Sequence, residues 1–127
     1  MSAHRIAEGR RVLVVEDEML ILLDIEDALR ALGAEVIETA ARLDTAMRLA
    51  KESAIDIAFL DVHIQGGNTF SVADILALRG IPFAFCTGYS EWSIEERHSH
   101  RPRVTKPYSS KALEEQVRQL LSAQPGQ

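Results

Sequence analysis

The sequence predicts an α/β fold in which five parallel strands form a doubly wound sheet flanked by helices. Short aliphatic runs alternate with stretches of helical spacing along the 127-residue chain. Several runs are apolar at consecutive positions, which is typical of strands covered on both faces. The length suits one domain with a single core. We expect that domain over residues 11–122, with residues 1–10 as an N-terminal extension and residues 123–127 as a C-terminal tail.

The strand predictions rest on five short runs, at 12–15, 36–37, 55–60, 82–86 and 103–105. Four apolar stripes with steps of three and four predict the helices: Leu22, Ile25, Leu29 and Leu32; Leu43, Ala46, Met47 and Ala50; Val72, Ala73 and Leu76; Leu113, Val117, Leu120 and Leu121. Gly33 is expected to cap the first helix, and Gly80 follows the third stripe. The stretch "SEWSIEERHSHRP" predicts only a short or irregular helix, because Pro102 limits it.

Composition excludes several classes of protein. The net charge is -5 and the basic residues are scattered, so nucleic acid is not expected as a direct partner. Apolar runs are too short to span a bilayer, and the opening "MSAHRIAEGRR" is not a secretory signal, so we expect a cytoplasmic protein without membrane contact. The single Cys86 is predicted to be a small buried hydrophobic residue.

Polar residues stand where the predicted strands end. Glu16 and Asp17 follow the first strand, Asp61 ends the third, Thr87 ends the fourth and Lys106 follows the fifth. The carboxyl ends of parallel strands share one edge of the sheet, where ligands bind. Carboxylates about 4 Å apart repel by roughly 4 kcal/mol per pair at an effective dielectric of 20, so a cation is expected. Hard oxygen ligands open to water favour Mg²⁺, and Lys106 supplies further positive charge.

The motifs "VVEDE", "FLDV", "TG" and "KPY", in that order at predicted strand ends, resemble bacterial response-regulator receiver domains. The resemblance covers about residues 10–122 and implies a flavodoxin-like fold with strand order 2-1-3-4-5. The stretch "PFAFCTGY" also resembles a subgroup of single-domain receivers, common in alphaproteobacteria, with a Phe-Ala-Thr-Gly-hydrophobic-Tyr signature.

This resemblance implies that Asp61 accepts a phosphoryl group from a phosphohistidine of a sensor kinase or a histidine phosphotransfer protein. Asp17 is then expected to bind Mg²⁺ directly, Glu16 through water, and the backbone carbonyl of His63 to complete the protein ligands. The His63 side chain flanks the acceptor, where side chains of the family tune attack by water, so it is expected to alter the dephosphorylation rate.

Thr87 and Lys106 are expected to contact phosphoryl oxygens, and Thr87 to move toward the new dianion and carry the following loop with it. These parts suit phosphoryl transfer, in which the protein chiefly positions groups and neutralises charge.

The sequence departs from the family pattern at two places. Gln65 stands where a proline is usual and is followed by two glycines, which predicts a looser loop. Arg103 replaces the usual aromatic switch residue, so Tyr89 and Tyr108 are the remaining candidates for that role.

The leading hypothesis is a stand-alone receiver that signals by protein contact, as a relay, a phosphate sink or a regulator of a target protein, with a homodimer also possible. The alternative is a small Mg²⁺-dependent phosphatase with an aspartyl-phosphate intermediate. Phosphatases of that type carry a second Asp where this chain has His63. A flavodoxin-like mononucleotide binder is a third hypothesis, but the first strand has no Gly-rich loop after it.

Glu18 is interpreted as a helix-start acid, and His98 and His100 as surface residues.

Overall fold

The computed structural model describes residues 5–87, 94, 96–105 and 109–123. The strands in this part are β1 (Arg11–Val15), β2 (Val36–Ala40), β3 (Ile57–Asp61), β4 (His63–Ile64), β5 (Gly67–Asn68), β6 (Phe83–Thr87) and β7 (Arg103–Thr105). Five of these described strands form a parallel sheet in the order β2-β1-β3-β6-β7, while β4 and β5 pair as an antiparallel hairpin. The predicted α/β class and the 2-1-3-4-5 order of the sheet are thus confirmed.

The strand boundaries differ slightly from the predicted ones. The second strand is longer than the predicted two residues, because β2 pairs with β1 along its whole length and ends opposite Val15. The third begins at Ile57 rather than Ile55, because the side chain of Asp56 accepts a hydrogen bond from the backbone N–H of Arg11 before the strand starts. The β4–β5 hairpin was not predicted.

The four α-helices of the described residues follow the four predicted stripes: α1 (Met19–Ala31), α2 (Leu43–Glu52), α3 (Phe70–Leu78) and α4 (Ser110–Ser122). Gly33 ends α1 with a φ of 96°, and the N–H of Ala34 donates to the carbonyl of Leu29, which is the Schellman arrangement. Gly80 ends α3 in the same way. Glu18 is the N-cap residue of α1, as expected of a helix-start acid. Within this part of the chain, no helix has the length and apolarity needed to cross a membrane.

Successive side chains along each strand point to opposite faces of the sheet, and each face packs against its own pair of helices. Helices α1 and α4 cover one face, and α2 and α3 cover the other. Cys86 is 2% exposed on the α1–α4 face, which confirms that it is a buried hydrophobic residue. The largest fully buried side chains include Phe59, Phe83 and Phe85.

The prediction that His98 lies at the surface is wrong, because its side chain is only 4% exposed. His98 ends a 3-10 helix over Glu96–His98, which is the short helical segment expected there. Its ring packs among phenylalanine rings, and its Nε2 lies 2.8 Å from Oδ1 of Asp74 on α3. His100 is exposed, as predicted.

Candidate functional site

The register of the parallel strands brings the predicted acidic residues to one edge of the sheet. Val15 of β1 is the register partner of Leu60 of β3. The next residues of the two strands, Glu16 and Asp61, therefore lie at the same level of the sheet. Asp61 in turn is the register partner of Cys86 on β6, which places Thr87 one residue beyond Asp61. Chain topology therefore gathers strand ends that are far apart in the sequence.

Glu16, Asp17 and Asp61 each offer a carboxylate oxygen, and these three oxygens lie within 4.8 Å of one another. Glu16 is 1% exposed and Asp61 is 5% exposed, whereas Asp17 reaches solvent. Two ionised carboxylates at that separation repel by about 3.5 kcal/mol at an effective dielectric of 20. The cluster is therefore arranged to receive positive charge.

Glu16 is held by the start of α1 as well as by the sheet. Its backbone N–H donates to the carbonyl of Ala40 at 2.9 Å, which continues the pairing of β1 with β2. Its Oε2 accepts a hydrogen bond of 3.0 Å from the N–H of Glu18, the N-cap residue of α1. The positive end of the helix dipole thus lies beside the carboxylates and offsets part of their repulsion.

Asp61 is anchored through its backbone by Thr69, a residue that the sequence reasoning missed. The Thr69 hydroxyl donates to the carbonyl of Asp61 at 2.7 Å, and its N–H donates to the carbonyl of Val62 at 2.9 Å. Thr69 is fully buried and is the N-cap residue of α3. A threonine just before the apolar stripe of a predicted helix is the signal that could have identified it.

Thr87 is 5% exposed at the end of β6, and its register partner on the edge strand β7 is Thr105. The next residue in the chain, Lys106, lies outside the described residues, as do Tyr89 and Tyr108. Their expected roles stay predictions. Arg103 begins β7 with an exposed side chain, and its guanidinium lies 3.4 Å from the carbonyl of Ser99.

The loop after the acceptor forms the β4–β5 hairpin. His63 pairs with Asn68 across the hairpin, and the His63 side chain is exposed. Gly66 has a φ of 103°, a conformation that side chains with a Cβ rarely adopt. The carbonyl of Gln65 accepts a hydrogen bond of 2.9 Å from the N–H of Leu43, which ties this loop to the start of α2. The expected looseness of the loop and the roles of His63 stay predictions.

Comparison with known proteins agrees with this arrangement. Residues 12–118 match the family described as "Response regulator receiver domain". PdtaR, a transcriptional regulatory protein of Mycobacterium tuberculosis, is 33% identical over 92 residues, which is 72% of this chain but 45% of PdtaR. The chain thus spans less than half of that relative's length.

Solved structures show the same fold. The solution structure of SdrG from Sphingomonas melonis Fr1 is 36% identical with a TM-score of 0.76, covering 97% of this chain and 98% of SdrG. The receiver domain of the sensor histidine kinase PA1611 from Pseudomonas aeruginosa is 21% identical with a TM-score of 0.78, covering 90% of this chain and 98% of that domain. The chain belongs to the response regulator receiver domain family, the phosphoacceptor signalling domains of two-component systems.

Proposed function

We propose that this chain accepts a phosphoryl group on Asp61 from a phosphohistidine of a sensor kinase or of a histidine phosphotransfer protein. It then signals by protein contact, as a relay, a phosphate sink or a regulator of a target protein. The observation that carries this proposal is the cluster of Glu16, Asp17 and Asp61 carboxylates within 4.8 Å, at the carboxyl edge of a parallel sheet. Family membership supports the signalling role over the phosphatase alternative.

The donor set fits Mg²⁺. Carboxylate oxygens are hard ligands, and a site with one solvent-exposed acid leaves room for the waters that Mg²⁺ retains. Glu16, Asp17 and Asp61 would hold the ion, together with the backbone carbonyl of His63. When bound, Mg²⁺ supplies charge neutralisation at the phosphoryl oxygens. The PA1611 receiver domain was solved with a magnesium ion coordinated in its active-site cleft, which supports the same site in this fold.

The chain's own residues provide the acceptor and its positioning. A carboxylate oxygen of Asp61 forms the new O–P bond while the N–P bond of the phosphohistidine breaks, and the imidazole nitrogen retains the electron pair. The bond from Thr69 to the Asp61 carbonyl holds the acceptor in place, so little reorganisation is needed. Thr87 donates its hydroxyl to one phosphoryl oxygen, and Lys106 pairs with another. SdrG has a solution structure in a BeF3-activated conformation, which supports an activated state of this kind.

The start of α1 offers a surface for the phosphohistidine donor. Met19, Leu20 and Leu23 form an apolar patch, here called the α1 patch, with exposures of 64%, 78% and 46%. The patch begins two residues after Asp17, so a protein that covers it lies beside the acceptor. We therefore assign the α1 patch to the protein that carries the phosphohistidine, because that protein must approach Asp61.

The test is labelling of the protein by acetyl phosphate with Mg²⁺, followed by mass spectrometry. We expect one phosphoryl group per chain in the wild type and none in Asp61→Ala. Asp17→Asn is expected to weaken Mg²⁺ binding at least tenfold, whereas Asp27→Asn, which changes an exposed acid on α1, is the matched control and leaves it unchanged. Labelling of Asp61→Ala would refute the acceptor assignment. Sustained phosphate release from sugar phosphates would favour the phosphatase instead.

A further inference from the structure

His98 is a buried histidine whose position the receiver chemistry above does not explain. Its ring centroid lies 5.9 Å from that of Phe83, 6.1 Å from that of Phe85 and 6.3 Å from that of Phe70. The ring is nearly parallel to Phe70, with an angle of 14°, and meets the other two nearly edge-on. A polar ring in an aromatic cluster costs solvation energy unless it gains a specific contact.

That contact is Asp74 on α3. His98 Nε2 lies 2.8 Å from Asp74 Oδ1, so Nε2 carries the proton that the carboxylate accepts. The same carboxylate accepts two hydrogen bonds of 2.9 Å from Arg97. The bonds from Arg97, and to a smaller extent the bond from His98, lower the pKa of Asp74 to about 2. Nδ1 of His98 is buried and has no hydrogen-bond partner among the described residues. A phenylalanine would fill the space without that penalty, so the specific gain from histidine is the bond to Asp74.

His98 contacts two residues on one face of α3, Phe70 and Asp74. Phe70 and Asp74 are four residues apart and therefore lie on the same side of the helix. Phe70 stacks on the His98 ring, and Asp74 bonds its edge. Phe70 directly follows Thr69, whose hydroxyl holds the carbonyl of Asp61. One side of the ring is thus linked to the acceptor through the first turn of α3.

The other side of the ring is linked to the end of β6. Alternate residues of a strand share a face, so Phe83, Phe85 and Thr87 point to the same side of the sheet. His98 packs edge-on against the first two of these residues. Its ring therefore supports the strand that ends in the hydroxyl assigned to phosphoryl binding.

We propose that His98, fixed by Asp74, is a positioning residue that sets the location of the Thr87 hydroxyl relative to Asp61. This inference rests on the proposed function. His98 touches neither the acceptor nor the metal ligands in this arrangement, and it acts through β6 and α3. Its loss should impair recognition of the phosphoryl group but leave the carboxylate cluster able to bind Mg²⁺.

The test uses beryllofluoride as the phosphoryl probe and Mg²⁺ alone as the second ligand, both followed by NMR titration of the full chain. We expect His98→Phe to weaken beryllofluoride binding about fivefold. This is the lower limit of the affinity changes that are typical when two separate sites are energetically coupled. Mg²⁺ affinity should stay within about twofold, because the carboxylates are not disturbed. His100→Phe, at an exposed histidine two residues away, is the matched control and should match the wild type.

Two further variants keep the inference testable if His98→Phe folds poorly. Asp74→Ala, at a side chain that is 48% exposed, should reproduce the effect of His98→Phe. In a Thr87→Ala background, either change should have no additional effect on beryllofluoride binding, because the hydroxyl that they position is gone.

Three outcomes would overturn the inference: wild-type affinity in both variants, a parallel loss of Mg²⁺ affinity, or an undiminished effect in the Thr87→Ala background. If the wild-type chain binds no beryllofluoride with Mg²⁺ and takes no label on Asp61, the proposed function fails instead. The two failures are therefore distinguishable.

Discussion

Replacing Thr69 with valine tests whether the acceptor strand is held by a single buried hydroxyl. Valine has nearly the shape of threonine, so the substitution removes the hydroxyl while the backbone bond from residue 69 to Val62 remains. The lost bond is the 2.7 Å contact to the Asp61 carbonyl. The second contact of this hydroxyl, 3.4 Å to the Val62 carbonyl, is too long to contribute much.

The expected cost follows from burial. Thr69 is 0% exposed, so removing its hydroxyl takes a buried donor away from the Asp61 carbonyl, and no water can occupy the position of that hydroxyl beside the valine methyl. Such a loss costs about 1–3 kcal/mol. For a domain of this size, a loss of about 2 kcal/mol lowers the midpoint of thermal unfolding by about 5–10 °C. The acceptor is also less well positioned, so labelling by acetyl phosphate should slow.

Urea unfolding followed by circular dichroism measures the stability, and acetyl phosphate labelling measures the function. Thr69→Ser is the matched control, because it keeps the hydroxyl and removes only a methyl group, at a cost of about 0.8 kcal/mol. We expect the serine variant to label at the wild-type rate. The reasoning would be refuted if Thr69→Val kept wild-type stability, or if the serine variant labelled as slowly as the valine variant.

The remaining predictions concern the acid stability, the acceptor loop and the donor surface. The pKa of Asp74 is lowered from 3.8 to about 2, so its contribution to stability is present above about pH 4 and is lost as the pH falls through about 2. Asp74→Asn should lower the free energy of unfolding by less than about 1 kcal/mol at pH 6, since the side chain is 48% exposed, and the difference should shrink steadily as the pH falls from about 4 to about 2; a constant difference would contradict this. Gly66→Ala should cost about 1–3 kcal/mol in urea unfolding, because a φ of 103° strains a residue with a Cβ and that Cβ would also lie 3.0 Å from the Cβ of Leu43. Gly67→Ala is its control for crowding, because a φ of 140° strains a residue with a Cβ there too but that Cβ would lie 3.6 Å from Leu43 Cδ2; we expect a smaller loss than in Gly66→Ala, and equal losses would argue against the crowding. Leu20→Ser should slow phosphotransfer from a kinase but not labelling by acetyl phosphate, whereas Leu78→Ser, at a 90% exposed residue of α3, should change neither. Equal slowing by both leucine variants would remove the case for the α1 patch.

The sheet and the acidic cluster could be predicted because both follow from local pattern plus topology. The consecutive apolar residues of 12–15 and 57–60 identify strands buried on both faces, and every parallel strand ends at the same edge. The proximity of Glu16, Asp17 and Asp61 then needs no knowledge of their side-chain packing. Boundaries were less predictable, because the start of β3 depends on a hydrogen bond between Arg11 and Asp56, which are 45 residues apart in the sequence.

The burial of His98 could not be predicted for the opposite reason. Its neighbours in sequence are mostly charged or polar, and Arg97 beside it is exposed, so local composition indicates a surface segment. What buries the ring is a set of partners from α3 and β6, at separations of 13 to 28 residues. Thr69 differs from His98, since its place before the apolar stripe of α3 is a local signal, but the hydrogen bond from its hydroxyl to the Asp61 carbonyl is set by the fold and not by spacing.

Thr69 and His98 are both joined to α3, Thr69 as its N-cap residue and His98 through contacts with Phe70 and Asp74. This shared helix explains how the site at the sheet edge could respond to a distant contact. The first turns of α3 hold the acceptor carbonyl through Thr69 and grip His98 through Phe70 and Asp74. A helix is stiff over so short a length, so a shift of the acceptor end is carried to the His98 ring rather than absorbed between them. The ring in turn packs on Phe85, two residues before Thr87. The acceptor Asp61 and the hydroxyl of Thr87 are therefore connected by two routes. One runs across the sheet through the pairing of β3 with β6, and the other runs through α3 and His98. Because the sheet connection remains in His98→Phe, the loss of the second connection should weaken phosphoryl recognition without abolishing it.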